Sequence, residues 1–475
     1  MVDQELAMYE NVNQKFNQLP PDYPEGLLPA IQKEFLESKK TIVVLDDDPT
    51  GTQTCYDVMV LTSWDVSLIA AELRQKPSIL YILTNSRSLP ESEAIDLALE
   101  IGQNLKQAAE ESQRAVVVVS RSDSTLRGHF PAEVDAVAGA LDLAGAVTVL
   151  VPAFIEGGRY TIGDVHYIVE NEEMVPVSDT PFAKDVSFGY RHANLKQWVK
   201  EKSKGRIKAS EVNSVSVEDL RAGGPKVAAE KLEACANGSV CIMNAATYRD
   251  LEVGVLGLIM AERSGKKFLY RTSATFVPIR AGMVSGKLYV PQKEDAASSH
   301  GSLVVVGSHV PKTTSQLAYL LKQGKQQNLE VDVSQLLRPQ DLSGEAKAIS
   351  AKVDVWLAAG DDVVIHTSRR LETGADAESS LKINALVSGF LVAIVQGISV
   401  RPKFIVAKGG ITSSDLASKG LSVQKATVLG PVIPGVPVWK LQGESKFPGL
   451  IYVVFPGNVG DEKALALVCE KFGGG

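Results

Sequence analysis

Cysteine is scarce in this chain. Only Cys55, Cys235, Cys241 and Cys469 occur in 475 residues. None forms a CxxC pair or stands at metal-finger spacing with histidine, which excludes a zinc finger or ribbon and the disulfide framework of a small secreted domain. A reduced, cytoplasmic interior is the expected setting, and no resident metal site is expected. Basic surplus is also lacking: 49 Lys+Arg against 56 Asp+Glu give a formal charge of −7. That weighs against a nucleic-acid partner, though a locally basic pocket for a small anion remains compatible with it. No run of about 18 apolar residues occurs, so no membrane span is expected. The opening MVDQELAMYENVNQ has neither a basic n-region nor an apolar h-region, so a secretory signal is not expected. Three signature loops are missing as well. There is no G-x-x-x-x-G-K-[ST], no G-x-G-x-x-G after the first apolar run and no G-x-S-x-G, which weighs against P-loop, dinucleotide-oxidoreductase and serine-hydrolase readings.

What the sequence does contain is a repeated grammar of short apolar runs and amphipathic stretches. Residues 41–46, 58–62, 79–84, 115–120, 147–152, 239–244 and 267–272 are continuous apolar runs, the pattern of strands covered on both faces. Between them lie segments such as ESEAIDLALEIGQNLKQAAEES (91–112), with helical periodicity. The texture turns small and polar over 281–301, which reads as a linker. The grammar then restarts at 302–307, 362–368, 403–410 and 450–457. At this length two domains are expected, roughly 1–290, opening on a helical leader of about 40 residues, and 300–475. The fold class is α/β, with two doubly wound, mostly parallel sheets.

Ligands of open α/β sheets bind at the carboxyl ends of the strands, and there the polar residues gather. LDDDPTGTQT puts Asp46, Asp47 and Asp48 before a forced turn, where acids also serve as turn caps. TNSRSLP offers Asn85, Ser86 and Arg87. VVVVSRSDSTLRGHF offers Arg121, Ser122, Asp123, Ser124 and Arg127. The two arginines can fork onto a carboxylate or phosphate, and Asp123 and the serines can meet sugar hydroxyls. The bland alternative is an Arg–Asp pair holding a loop, but two arginines to one aspartate leave one cation over. His129 reads as a packed residue. Arg159, Arg271, Thr272 and Ser273 extend the same map. This composition suits a small anionic polyhydroxy acid. In the second half, VVVGSHVPKTTSQL (Gly307, Ser308, His309), VAKGGITSSDLA (Gly409, Gly410, Ile411, Thr412) and VFPGNVGDEKAL (Gly457, Asn458, Gly460) are glycine-rich strand-to-helix turns. Each alone reads as a tight turn with a cap; three together point to a nucleotide or phosphate site.

These residues resemble the four-carbon acid sugar kinase family, ATP-dependent kinases of tetronate and 3-oxo-tetronate acids. DDPTGTQ, SRSDSTLRGHFPAE, GRYTIGDVHY, RTSATFV, GGITSSD and PGNVGDEKAL occur in the family's order and span the chain from about Thr41 onward. The resemblance implies an N-terminal acid-sugar domain and a C-terminal ATP domain; with an interdomain cleft, closure on a hinge near 281–301 that excludes water is expected. Nucleotide contacts would fall on Ser308, Gly409, Gly410, Ile411, Thr412 and Gly457, with Asn458 beside them. The sugar would meet the loops holding Asp47 and Asp48, Asn85 to Arg87, and Arg121 to Arg127. Three departures lie in the nucleotide half. Ile411 stands where the family commonly has Glu, His309-Val310 replaces Cys-Ser, and FPGNVG replaces Lys-Ser-Gly-Asn-Phe-Gly. The expected chemistry is phosphoryl transfer from ATP, with Mg²⁺, to a terminal hydroxyl of the acid. Its carboxylate would rest on Arg121 or Arg127, and Asp47, or second Asp48, would take the proton. Alternatives are an isomerase or lyase on the same acid, or a regulatory protein that binds it without turnover. A homo-oligomer is left open.

Overall fold

The computed structural model describes residues 9–296, 298–338, 341–370, 372 and 377–473. Eighteen strands occur among them. They are β1 (Thr41–Asp46), β2 (Val58–Leu61), β3 (Ile79–Leu83), β4 (Val116–Arg121), β5 (Val147–Val151), β6 (Arg159–Ile162), β7 (Val165–Glu170), β8 (Glu173–Pro176) and β9 (Asn213–Val215), then β10 (Val240–Met243), β11 (Phe268–Thr272), β12 (Leu303–Val306), β13 (Gln327–Val331), β14 (Val363–Thr367), β15 (Ile405–Lys408), β16 (Lys425–Ile433), β17 (Val436–Leu441) and β18 (Ile451–Phe455). All eleven apolar runs of the sequence are strands. The chain forms two compact α/β units, and neither is contiguous in sequence. The first holds residues 9–47, 64–80 and 89–285; the second holds 48–63, 81–88 and 286–473.

In the first unit the strands lie in the order β1-β4-β11-β5-β10-β9, all parallel. Every residue of β1 is buried, so both faces are covered, which is what a β-branched run without alternation requires. One cover is the helix Glu91–Ser112, which turns Ala94, Ala98, Ile101, Leu105 and Ala108 inward at the three- and four-residue spacing of a helix face. Pro90 precedes its acidic first turn and Gln113 ends it in the left-handed conformation. It packs on helices Val66–Arg74 and Ala132–Ala140, while Val217–Ala234 packs on Tyr248–Arg263. Register aligns Asp46 with Arg121 and Arg121 with Thr272. Three polar residues thus share one level at the carboxyl edge. A separate antiparallel sheet, β6-β7-β8, was not expected from the sequence: its strands alternate and carry charges, so no apolar run marks them.

The second unit orders its strands β13-β14-β12-β15-β18-β17-β16-β2. The five from β13 to β18 are parallel. The hairpin β16–β17 and strand β2 add three antiparallel pairs, so this sheet is mixed. The hairpin escapes sequence reading because Gly430, Pro431 and Pro437 interrupt it, and bulges at 428–430 and 431–433 absorb them. The leader holds helices Val12–Asn17 and Leu28–Ser38; residues 1–8 lie outside the described residues. From Met283 to Ser302 the described residues form neither α-helix nor strand, only a 3₁₀ turn at Lys293–Ala296. No helix is long and apolar enough to cross a membrane among the described residues.

Candidate functional site

In the first unit the chemistry gathers where β1, β4 and β11 end. Asp46 and Asp47 are each 1% exposed and Arg121 is 3% exposed. Arg121 Nη1 is 3.0 Å from Asp46 Oδ1 and 3.7 Å from Asp47 Oδ1. Ser122 Oγ donates to Asp47 Oδ2 at 2.5 Å. Arg271, buried one strand away, donates from Nη2 to Ser122 Oγ (2.7 Å), and from Nη1 to Ser120 Oγ (2.7 Å) and Glu133 Oε2 (3.0 Å). Carboxylate, hydroxyl and guanidinium therefore form one chain. Gly128 closes over it with φ 127°; a Cβ there would stand 2.7 Å from Ser122 Oγ and 2.8 Å from Arg271 Nη2. Only glycine lets backbone approach so closely in that conformation.

The surplus cation inferred from two arginines and one aspartate is absent here. β1 brings up Asp46 for Arg121, and Asp123 takes Arg127 Nε at 2.7 Å, with Asp185 Oδ2 3.7 Å from Arg127 Nη1. The pairing of Arg121 is non-local and could not be counted along the loop. Arg159 is different. Its Nη1 donates to Gly157 O (2.8 Å) and its guanidinium lies 5.5 Å from the centroid of the Phe154 ring. No carboxylate pairs with it among the described residues, and burial lowers its proton affinity.

The loop from Arg121 to Phe130 is pinned from below. His166 is fully buried, and its Nε2 is 2.7 Å from Ser124 O while Nδ1 is 2.9 Å from Thr161 Oγ1. The neutral ring satisfies both, donating to the carbonyl and accepting from the hydroxyl. Burial pushes His166 down to about 4, which keeps it in that form. Tyr190 Oη donates to the next carbonyl, Thr125 O, at 2.6 Å. His129 is packed, 3.0 Å from Leu89 O and edge-on to Phe188. Beside the loop lies a small pocket lined by Ser122, Asp123, Leu126, Arg127, Arg271 and Thr272, with Leu150, Pro152 and Trp198. Three of the expected sugar-binding residues line it. Arg121 and Asp47 stand behind it.

Asp48, Asn85 and Arg87 belong to the second unit. Asp48 accepts from Thr50 N (2.9 Å) and pairs with Arg87 Nη2 (3.0 Å). A Cβ on Gly410 would stand 2.9 Å from Asp48 Oδ2, so this aspartate borders a glycine loop. Asn85 is a turn residue at φ 53° whose Nδ2 donates to Ser88 Oγ.

The glycine turns of the second unit come together. A pocket is lined at one end by Gly307, Ser308, His309, Gly409, Gly410, Ile411 and Thr412. Val333, Ile383, Val387 and Leu391 form an apolar wall, and Thr367, Ser368, Arg370, Glu372, Asn384 and Ser388 complete the rim, Glu372 lying 3.4 Å from Arg370 Nε. A lining part apolar and part glycine turn and hydroxyl is of the kind that holds a small organic ligand. Gly409 has φ 124°, open to glycine alone. Gly457 joins through Thr313, whose Oγ1 is 2.9 Å from Gly457 O and 3.2 Å from Ser308 Oγ. Asn458 is exposed and outside the pocket lining.

Two cations here were not singled out by sequence reading. Arg369 spends its guanidinium on carbonyls, Ser308 O at 2.7 Å and Thr367 O at 2.7 and 3.0 Å, and on Thr367 Oγ1 at 2.6 Å. Lys408 is 0% exposed at the end of β15. Neither pairs with a carboxylate among the described residues. The one signal for Lys408 was a charge closing an otherwise apolar run. Its register partner on β18 is Phe455, the position where the resembled pattern has lysine. The helix wall gave no signal, because an apolar stretch at helical spacing reads as core.

Fold and sites define a class: a two-domain α/β protein in which one unit carries a small, polar, hydroxyl- and guanidinium-lined pocket and the other a glycine-loop pocket. A family model described as a sugar-binding N-terminal domain matches residues 42–279, just over half of the chain, and one described as a nucleotide-binding C-terminal domain matches residues 303–465. The chain belongs to the family that these two domains define. A search of curated proteins found no match. Among solved structures, a Salmonella typhimurium LT2 protein provisionally described as a tRNA synthase is similar with a TM-score of 0.63 at 16% identity, over 90% of this chain and 98% of that one. Haemophilus influenzae protein HI1011 is similar with a TM-score of 0.58 at 17% identity, over 90% of this chain and 100% of that one. At such identities the likeness is one of fold.

Proposed function

We propose that the protein is an ATP-dependent kinase that phosphorylates a terminal hydroxyl of a small acid sugar of the tetronate or 3-oxo-tetronate type. The observation that carries this reading is the pairing of two chemically distinct pockets on one chain. One is lined by Ser122, Asp123, Arg127, Arg271 and Thr272 among others, side chains whose hydroxyl, carboxylate and guanidinium groups suit a short hydroxylated acid. The other is a glycine-loop pocket beside cations that lack carboxylate partners among the described residues, suited to a polyanion. Arg127, at the pocket wall, supplies positive charge for the acid's carboxylate. Asp123 and Thr272 meet hydroxyls.

Asp47 is the base. Ser122 stands between it and the pocket and already donates to it. As the acceptor hydroxyl gives its proton to Ser122 Oγ, the serine proton passes to Asp47 Oδ2, leaving an alkoxide to attack the γ-phosphorus. Arg121 offsets the carboxylate charge behind. In the second unit the Gly409–Thr412 loop and Ser308 hold the phosphates, with Gly457 and Asn458 on the flanking loop, and the apolar wall takes the base. Mg²⁺ travels with the nucleotide as Mg·ATP and neutralises the phosphates during transfer. Asp48 borders the Gly410 turn, which favours a role toward the nucleotide over one toward the sugar.

The test is ADP release, by a coupled assay, from Mg·ATP with erythronate, threonate and 3-oxo-tetronate in both enantiomers. Turnover with one member establishes the kinase and names the acceptor. Binding of an acid sugar with isomerised or cleaved product and no ADP would replace it with an isomerase or lyase. Binding of both ligands without any product would replace it with a regulatory role.

A further inference from the structure

Lys408 ends β15 immediately before the Gly409-Gly410 turn. Its ammonium is fully buried. Nζ donates to Pro456 O at 2.6 Å, lies 3.5 Å from Gly457 O, and sits 3.7 Å from the centroid of the Phe455 ring. A buried charge is normally paired with an opposite one. The neighbours of Lys408 contribute nothing of that kind. β18 offers Phe455, and the two residues that follow it offer carbonyls. The end of β12 offers Ser308, whose amide donates to Lys408 O. Helix Pro311–Lys322 offers Lys312, another cation. Burial first, and Lys312 second, push the ammonium down to about 6. The structure therefore holds a lysine for which the described residues supply no counter-charge, beside the Gly409-Gly410 and Gly457 turns.

We propose that Lys408 is the positioning residue of the nucleotide pocket, which becomes protonated when the phosphates bind and then ties the Pro456-Gly457 carbonyls inward, so that nucleotide binding takes up a proton at this lysine. The nucleotide's anions supply the missing counter-charge. The strengthened ammonium–carbonyl bonds turn the 456–460 loop so that its amides face the ligand. The idea rests on the nucleotide-binding character of the second unit and not on the identity of the phosphoryl acceptor.

The direction of the pH effect follows. Free protein is deprotonated at Lys408 above about pH 6, and the complex is protonated up to a higher value. Between the two, each unit of rising pH weakens nucleotide binding by up to about tenfold. Calorimetric titration of the full-length protein with Mg·ATP, in buffers of different ionisation enthalpy and in the range where Mg·ATP itself does not titrate, reads the proton directly. The expected result is uptake approaching one proton near pH 7, with affinity falling as pH rises. Lys408→Met should keep the melting temperature, bind Mg·ATP at least about tenfold more weakly near pH 7, and lose the pH slope. Binding without proton uptake by the wild-type protein overturns the proposal. So does a folded Lys408→Met variant with wild-type affinity and slope. Should that variant not fold, the proton count of His309→Gln decides, because His309 also lines the pocket and burial lowers its proton affinity; uptake lost in that variant overturns the proposal. Failure of Mg·ATP to bind at any pH overturns it together with the kinase. Binding with uptake but no turnover on any acid supports Lys408 and removes only the kinase.

Discussion

Arg121 and Arg127 stand six residues apart in one loop, yet the structure gives them opposite behaviour under the same perturbation. Arg121 and Asp46 have side chains 4% and 1% exposed, with Asp47 3.7 Å further on. Arg121→Met leaves two buried carboxylates beside an apolar side chain. Removing one partner of a buried pair costs about 3–5 kcal/mol. For a unit of this size each kcal/mol is worth roughly 2–4 °C, so the first unit's transition should fall by about 6–20 °C. Arg127 is 26% exposed and Asp123 13%. A partly solvated pair contributes about 1 kcal/mol or less, so Arg127→Ala should move the melting temperature by no more than about 4 °C. It should instead raise the acid-sugar KM at least about tenfold, as loss of a charged hydrogen bond of about 1.5–3 kcal/mol predicts. The assay is thermal unfolding followed by calorimetry, which separates the transitions of two units, alongside steady-state kinetics. A double variant, Arg121→Met with Asp46→Asn, should recover part of the stability lost, because the neutral amide no longer needs the cation. The reasoning is refuted if Arg121→Met melts like wild type. If it also raises KM, Arg121 and not Arg127 holds the substrate carboxylate.

Asp47→Asn should lower kcat by about 10²–10⁴, the usual contribution of a general base, and leave KM within a few fold; near-normal turnover on a verified substrate would move the base elsewhere. His166 is held neutral by burial, with its proton affinity down at about 4 against about 6.5 in an unfolded chain. The unfolded state therefore binds more protons between those values, and stability falls as pH drops from about 6.5 to 4, by on the order of 3 kcal/mol. His166→Gln should flatten that slope, as read from melting temperature against pH; an unchanged slope would assign the acid sensitivity to other groups. Gly128→Ala should abolish acid-sugar binding while Mg·ATP binding persists, because its Cβ would strike Ser122 Oγ and Arg271 Nη2; unaltered sugar binding would mean the Gly128 turn does not shape the pocket.

The sequence by itself determined the layer structure. Eleven apolar runs became strands because a residue buried on both faces must be apolar wherever it points, and such runs survive in one dimension. The same holds for the helix Glu91–Ser112, whose bounds follow from spacing and from Pro90 at its start. It also located the glycine turns, since Gly409 needs a backbone conformation that few other residues adopt. Alternating or interrupted strands, β6 to β8 and the β16–β17 hairpin, left no such trace. Charge pairing was the part that only tertiary structure decided. Along the loop, Arg121 has Asp123 for a neighbour; in space it has Asp46, 75 residues away, because parallel register sets β1 and β4 side by side. For the same reason Arg271 reaches Ser122 from a strand 149 residues further on, and Lys408, an ordinary lysine in the sequence, lies buried against Phe455 with no acid to meet it among the described residues. Electrostatic partners are chosen by distance in three dimensions, and a linear count of charges cannot supply that distance.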